Sequence, residues 1–394
     1  MKQDCGRLLR VGVMLLAIGG LAALAGYRFY SQTSPRHQYE EARKAIANSD
    51  MALASLIEDS LFRNGDQAYA DLVYAERHLA LGDPKRALAK LPDPGADENL
   101  RLDAAGVAGR GFLGLGNLQE AERAFAFVRS KRPNDLDSVR GLVAVYYDLG
   151  AWPRAVEFAR SWSELDPTDG RPHRLKGMIR KELSQFELAI EEYQTAIKKD
   201  LKPHVRQEAR EELAECLIGL QRFSDALKLV DETPDEFRAD PWFLPARGEC
   251  LLGLGLSSAA AEEASKAIMV AKPSAAAYLL YGRLLLEQGK AEEAIPVLAK
   301  AAEASPRSFR PHHLLSQAYS QVGKTSESKI HREQVAEIQS LMDRLTQLTK
   351  DLLDQPHDGA RRREMAALYD RMRMPEMAER SRRLAVIADA RSKN

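Results

Sequence analysis

Three short stretches of this chain have residue types that could do chemistry. Gly323-Lys324-Thr325 ends like a phosphate-binding loop, in which glycine amides cradle the phosphate and a lysine meets its charge. That loop also needs an earlier glycine and a preceding strand, yet Ala318 stands at the glycine position and no strand pattern leads into it. The eight histidines do not cluster; His312 and His313 are neighbours, so on a helix they point about 100° apart and are poorly placed to share a metal. No HExxH occurs, and zinc needs three or four converging ligands. Cys216 and Cys250 lie 34 residues apart, on what read as equivalent helices of stacked units. Such helices sit about 8–10 Å apart, too far for a disulfide, so both read as small buried apolar groups. No Ser-His-Asp or Cys-His constellation stands out. No cofactor, metal or catalytic set is implied, and the expectation is a protein that is not an enzyme.

The elements that position these residues are set by a period. Glycines fall at Gly82, Gly116 and Gly150, and again at Gly255, Gly289 and Gly323, each 34 residues after the last within a set. Between the sets lie 105 residues, three periods plus three, which places a small insertion near Lys198–Pro203. Alanines keep the same time at Ala87, Ala121, Ala155, Ala189, Ala226, Ala260 and Ala294, and Pro133, Pro167 and Pro306 mark unit ends. Each unit reads as two amphipathic helices around a left-handed turn, with small residues where the helices approach and proline where a helix cannot continue.

One unit runs Ala105-x2-Ala108-Gly109-x2-Phe112, Gly116, Ala121-x3-Phe125-x2-Val128, Pro133. The next runs Val139-x2-Leu142-Val143-x2-Tyr146, Gly150, Ala155-x3-Ala159-x2-Trp162, Pro167. The spacing resembles the tetratricopeptide repeat, whose 34-residue signature is W-x2-L-G-x2-Y…A-x3-F…P. No unit here opens with tryptophan, and the unit around Ala226 has Gln221 where the turn glycine belongs. The resemblance implies an all-α, right-handed superhelix (α-solenoid) of eight to ten helix pairs. It also implies that the first helix of each pair lines a concave groove that holds a protein or peptide. Carried over residue by residue, it puts Arg110, Arg140, Arg171, Arg174 and Lys181 on that face, then Glu208, Glu211 and Glu215, then Arg283 and Arg310. A basic stretch beside an acidic one favours a partner with the opposite pattern. The carboxylate-clamp form of the family also uses groove asparagines, and this sequence has none at the matching positions.

The rest of the chain frames the array. Residues 1–10 are a short tail. Residues 11–30 begin with seventeen uncharged positions, about 25 Å as a helix, and read as a transmembrane anchor. Ala23-Leu24-Ala25 before Gly26 also fits a signal-peptide cleavage site, although the run exceeds the usual h-region. Lys2, Arg7 and Arg10 favour a cytoplasmic N-terminus, with the repeats on the far side, periplasmic in a bacterium. Residues 31–67 read as linker and a degenerate helix pair, 68–330 as the repeat array, and 331–394 as a long helix with a capping pair. Ile338, Leu341, Leu345, Leu348 and Leu352 form a seam that caps the array or joins a second copy. The 57 basic and 57 acidic residues cancel, which argues against a dedicated nucleic-acid binder. The leading expectation is thus a membrane-anchored, non-enzymatic scaffold near complexes assembled at the cell envelope. The alternatives are a self-assembling structural protein and the substrate-presenting part of an enzyme system.

Overall fold

Why a helix pair repeats here follows from three residue classes. The phased alanines Ala87, Ala121, Ala155, Ala189, Ala226, Ala260 and Ala294 are all fully buried, so two helix backbones can close on each other. The turn glycines Gly82, Gly116, Gly150, Gly255, Gly289 and Gly323 all have φ between +68° and +78°, the left-handed conformation that ends a helix. The two units between Gly150 and Gly255 use Ser184 (φ +58°) and Gln221 (φ +59°) for the same turn. Gly150 to Ser184 is one period, as is Gln221 to Gly255; the extra three residues therefore fall between Ser184 and Gln221. There Gly170 N–H donates to Asp200 O at 3.0 Å and Asp200 N–H to Thr168 O at 2.8 Å, a one-residue parallel bridge that seats the insertion.

A computed structural model describes residues 34–391 except 94 and 96. Among the described residues it holds twenty α-helices, arranged as ten consecutive pairs, and one 3-10 turn at Asp235–Phe237. The first helices of the pairs are α1 (Pro35–Ala47), α3 (Gln67–Ala80), α5 (Glu98–Gly114), α7 (Leu136–Asp148), α9 (Arg171–Glu182), α11 (Pro203–Gly219), α13 (Phe243–Gly253), α15 (Ala275–Glu287), α17 (Phe309–Gln321) and α19 (Gly359–Arg371). Their partners are α2 (Met51–Arg63), α4 (Pro84–Ala89), α6 (Leu118–Lys131), α8 (Trp152–Leu165), α10 (Phe186–Lys198), α12 (Phe223–Asp231), α14 (Ser257–Ile268), α16 (Ala291–Ala304), α18 (Thr325–Asp354) and α20 (Pro375–Arg391). The fold divides into two compact units, one ending at Val145 and one beginning at Tyr146.

In the first unit, Phe125 from α6 is the knob. Its fully buried ring lies where a Cβ on Gly109 or Gly141 would come within 2.7 and 2.4 Å of it. One aromatic ring thus occupies the notches of two successive first helices. The second unit repeats the device within one pair, with Tyr193 against Gly177 and Leu298 against Gly282. At its C-terminal side, Leu341, Leu348 and Leu368 form a small core with Leu345, Met365 and Met372 around it. All five seam residues are at least partly covered inside the chain: Leu341, Leu348 and Leu352 are buried, and Ile338 and Leu345 half-buried.

The expected membrane placement needs correction. Among the described residues no helix is long and apolar enough to cross a membrane. The longest, α18, has thirty residues but buries only Ser328, Leu341, Leu348 and Leu352 along one stripe. The span expected over residues 11–30 lies outside the described residues. The assignment as a single-pass membrane protein, with a cytoplasmic N-terminus and the repeats on the far side, is not retained.

Candidate functional site

Elements packed closest together lie on the inside of a curve. In the second unit α9 touches α11, α11 touches α13, α13 touches α15 and α15 touches α17, whereas successive second helices do not pack on each other to that extent. In the first unit α1 touches α3 and α3 touches α5. First helices therefore form the inner layer, and the polar residues they show there are the candidate groove.

Most of the expected groove cations are held by carboxylates of the neighbouring helix. Arg110 of α5 donates to Glu76 of α3, one period away. Lys181 of α9 pairs with Glu215 of α11, and Arg283 of α15 donates to Glu249 of α13 at 2.9 Å, again at a separation of 34. Arg174 forks onto Glu212 at 3.1 and 2.8 Å and also reaches Glu208 at 2.7 Å. The predicted basic and acidic stretches are thus brought together, and they form a ladder that ties successive first helices. Burial by itself lowers the pKa of Arg110, Arg174 and Lys181, but their carboxylate partners more than reverse it and hold all three charged.

The remaining expected residues differ. Arg171 grips Asp169 with its Nε and Nη2 and lies 5.1 Å from the Trp162 ring, so it serves the turn between α8 and α9, against which Asp200 of the insertion is bridged. Arg140 stands 3.9 Å from Asp137 on its own helix. Glu211 accepts from Gln207 at 3.2 Å; burial, followed by Asp240, Glu215 and Glu208, raises its pKa. Arg310 is exposed on α17.

Sequence reading missed the acidic half of the ladder in the first unit. Glu76, only 8% exposed, accepts from Tyr39 Oη at 3.1 Å and from Arg110, with Arg43 Nε at 3.4 Å. Arg43 also reaches Asp137 at 2.5 Å, so this node links α1, α3, α5 and the start of α7. Burial, then the Glu76 charge, pushes the Tyr39 phenol well up. The available signal was opposite charges one period apart, as in Glu76/Arg110 and Glu249/Arg283.

The chemistry-bearing stretches resolve as follows. Gly323 N–H donates to Ser320 O and Lys324 N–H to Tyr319 O, so both turn amides close a helix end. His312 stacks on His331 with centroids 5.3 Å apart, and Tyr319 also stacks on His331 at 5.4 Å. Among the described residues no group of three or more potential ligands converges as a metal site. Cys216 and Cys250 are free and buried, and burial pushes their thiols up to about 11 and about 12.

Two tetratricopeptide-repeat family models match the chain, one over residues 112–179 and the other over 175–241 and again over 246–309. The chain thus carries tetratricopeptide repeats, stacked as an all-helical solenoid. It is 28% identical over 130 residues to Hsp70-Hsp90 organizing protein 3 from Arabidopsis thaliana, covering 33% of this chain and 22% of that protein. It is 23% identical over 208 residues to Hsp70-Hsp90 organizing protein 1 from Glycine max, covering 52% of this chain and 35% of that protein. The chain spans between a fifth and about a third of the length of these relatives. Among solved structures, a tetratricopeptide repeat protein from Parabacteroides merdae ATCC 43184 aligns at 18% identity with a TM-score of 0.41, over 72% of this chain and 99% of that one.

Proposed function

We propose that this protein is a non-enzymatic scaffold that holds a protein or peptide partner against the concave layer of first helices. The observation that carries this reading is the repeated side-by-side packing of first helices. It presents similar polar chemistry at a fixed step along a rigid surface, as stacked repeats do. Two relatives are named as organizers of other proteins, which supports a protein partner.

The ladder changes which residues a partner meets. Arg174, Lys181 and Arg283 are already matched by carboxylates, whereas Arg310 and Glu211 stand outside the ladder. A partner reads the groove mainly through such residues and through shape. Reversing Arg171, Arg174 and Lys181 together would loosen α9 from α11 as well as alter the surface. A cleaner test places a photo-crosslinking amino acid at Arg310 on the inner layer or at Glu293 on an outer helix of the same unit. Selective capture of a protein from the inner position is the expected result. Equal capture from both positions, or from neither, would refute groove binding.

A further inference from the structure

Five of the ten methionines line one cavity of about 400 Å³ in the second unit: Met342, Met365, Met372, Met374 and Met377. None of the five is buried, and Met342 is 43% exposed. The walls come from α18, α19, α20 and the turn joining the last two, closed on the far side by Trp152 and Leu183. The unit curls so that its C-terminal helices reach its own beginning. Arg362 Nη2 donates to Leu149 O at 2.8 Å, and Arg380 Nη2 donates to Asp148 O at 3.1 Å. These bonds cap the C-terminal end of α7, where bare carbonyls favour a cation.

We infer that this methionine-lined cleft is a second docking site, and that it takes an acidic amphipathic helix from a partner protein. Three observations select that occupant. The wall residues on α18 run from Met342 to Leu353, eleven steps or about 16 Å. That length suits apolar anchors at i, i+3 or i+4, and i+7 of a docked helix. Thioether chains are flexible and polarizable, so a row of them fits varied apolar side chains. Charge then sets the sign of the partner. Residues 359–391 hold nine arginines against five acidic residues, a net charge of +4 in a chain that is neutral overall. On the cleft itself Lys350, exposed, Arg362 and Arg380 outnumber the one acidic lining residue, Glu182, although Arg380 also pairs with Asp148 at 3.3 Å. An acidic flank on the docked helix meets that field, and a basic one is repelled. The cleft adjoins the C-terminal end of α9 through Glu182 and Leu183, but its occupant is read at the methionine methyls and the groove's at Arg310, so either reading can fail without the other.

The test uses the full chain labelled with 13C at its methionine methyls. The probe is a designed peptide of about 18 residues with leucines at helical i, i+3, i+4, i+7 spacing among glutamates. The control peptide has the same composition, with its leucines scattered over all faces. The expected result is saturable movement of the five cleft methyls while those of Met51, Met178 and Met269 stay fixed. The scattered control should bind at least about tenfold more weakly. Lys350→Glu and Met342→Glu, both on exposed positions that spare the fold, should each weaken the helical peptide at least about threefold. Equal binding of both peptides, movement of methyls outside the cleft, or no saturation up to about 1 mM would overturn the proposal. Saturation by dodecanoate but not by the helical peptide would also overturn it, in favour of a small amphiphile.

Discussion

The Phe125 knob gives the sharpest test of how neighbouring repeats are coupled. A Cβ added at Gly141 would sit 2.4 Å from Cζ and 2.5 Å from Cε2 of the Phe125 ring. Ordinary carbon contacts are about 3.5–4.0 Å, so the ring must be displaced by about 1 Å or more. Overpacking of that kind costs about 1–3 kcal/mol. Replacing a helical glycine with alanine also gains about 1 kcal/mol of helix propensity. Gly141→Ala should therefore destabilise the native chain by a net 1 kcal/mol or so. Phe125→Ala should cost about 3–5 kcal/mol, because the ring is fully buried. With the ring gone the clash is gone, and Gly141→Ala should now stabilise by about 1 kcal/mol. The double-mutant cycle then yields a coupling of about 2 kcal/mol. Urea denaturation followed by far-ultraviolet circular dichroism, fitted with nearest-neighbour terms between repeats, measures all four corners. A coupling below about 0.5 kcal/mol would mean that Phe125 does not join the two first helices, and the reasoning would be wrong.

Three further outcomes are expected. Gln221 holds a left-handed turn that costs a side-chain-bearing residue about 1 kcal/mol, so Gln221→Gly should raise the denaturation midpoint; a lower midpoint would contradict the turn assignment. Burial holds Cys216 and Cys250 as thiols, so a thiol reagent near pH 8 should reach them only after urea unfolding, and rapid native labelling would count against their burial. Burial lowers the pKa of His173, and burial with His331 lowers that of His312, below the ordinary 6.5. The unfolded chain then binds protons first, so their stability contribution is complete above pH 6.5 and is lost as pH falls toward the folded values. A His173→Gln/His312→Gln variant should lose less melting temperature than the parent between about pH 7.5 and 5.5, and an equal loss would refute this.

Much of the fold was legible because its causes are local. A turn that needs positive φ leaves a glycine, and a helix crossing that needs room leaves an alanine, each at one period. The insertion near Lys198–Pro203 was legible by the same count, and Gly170 and Asp200 show how it is accommodated. The candidate groove was legible only in part. Arg174, Lys181 and Arg283 were placed on the inner layer, but their pairing with Glu212, Glu215 and Glu249 depends on how closely successive first helices approach. Arg171 begins α9 on the expected groove face, but its guanidinium holds Asp169 of the preceding turn beside Trp162, a local contact that the repeat period does not show. The membrane placement rested on residues 11–30, and no helix among the described residues supports it.

By itself, then, the sequence determined the repeat and those turns marked by glycine, since each depends on one or two residues recurring at a fixed step. Only the tertiary structure decided where the second unit ends up. The contact from Arg362 to Leu149 joins residues 213 apart, and it arises from small rotations between pairs summed along the unit. No single residue encodes that sum. The methionine-lined cleft lies at this closure, so it too was invisible until the curvature was known.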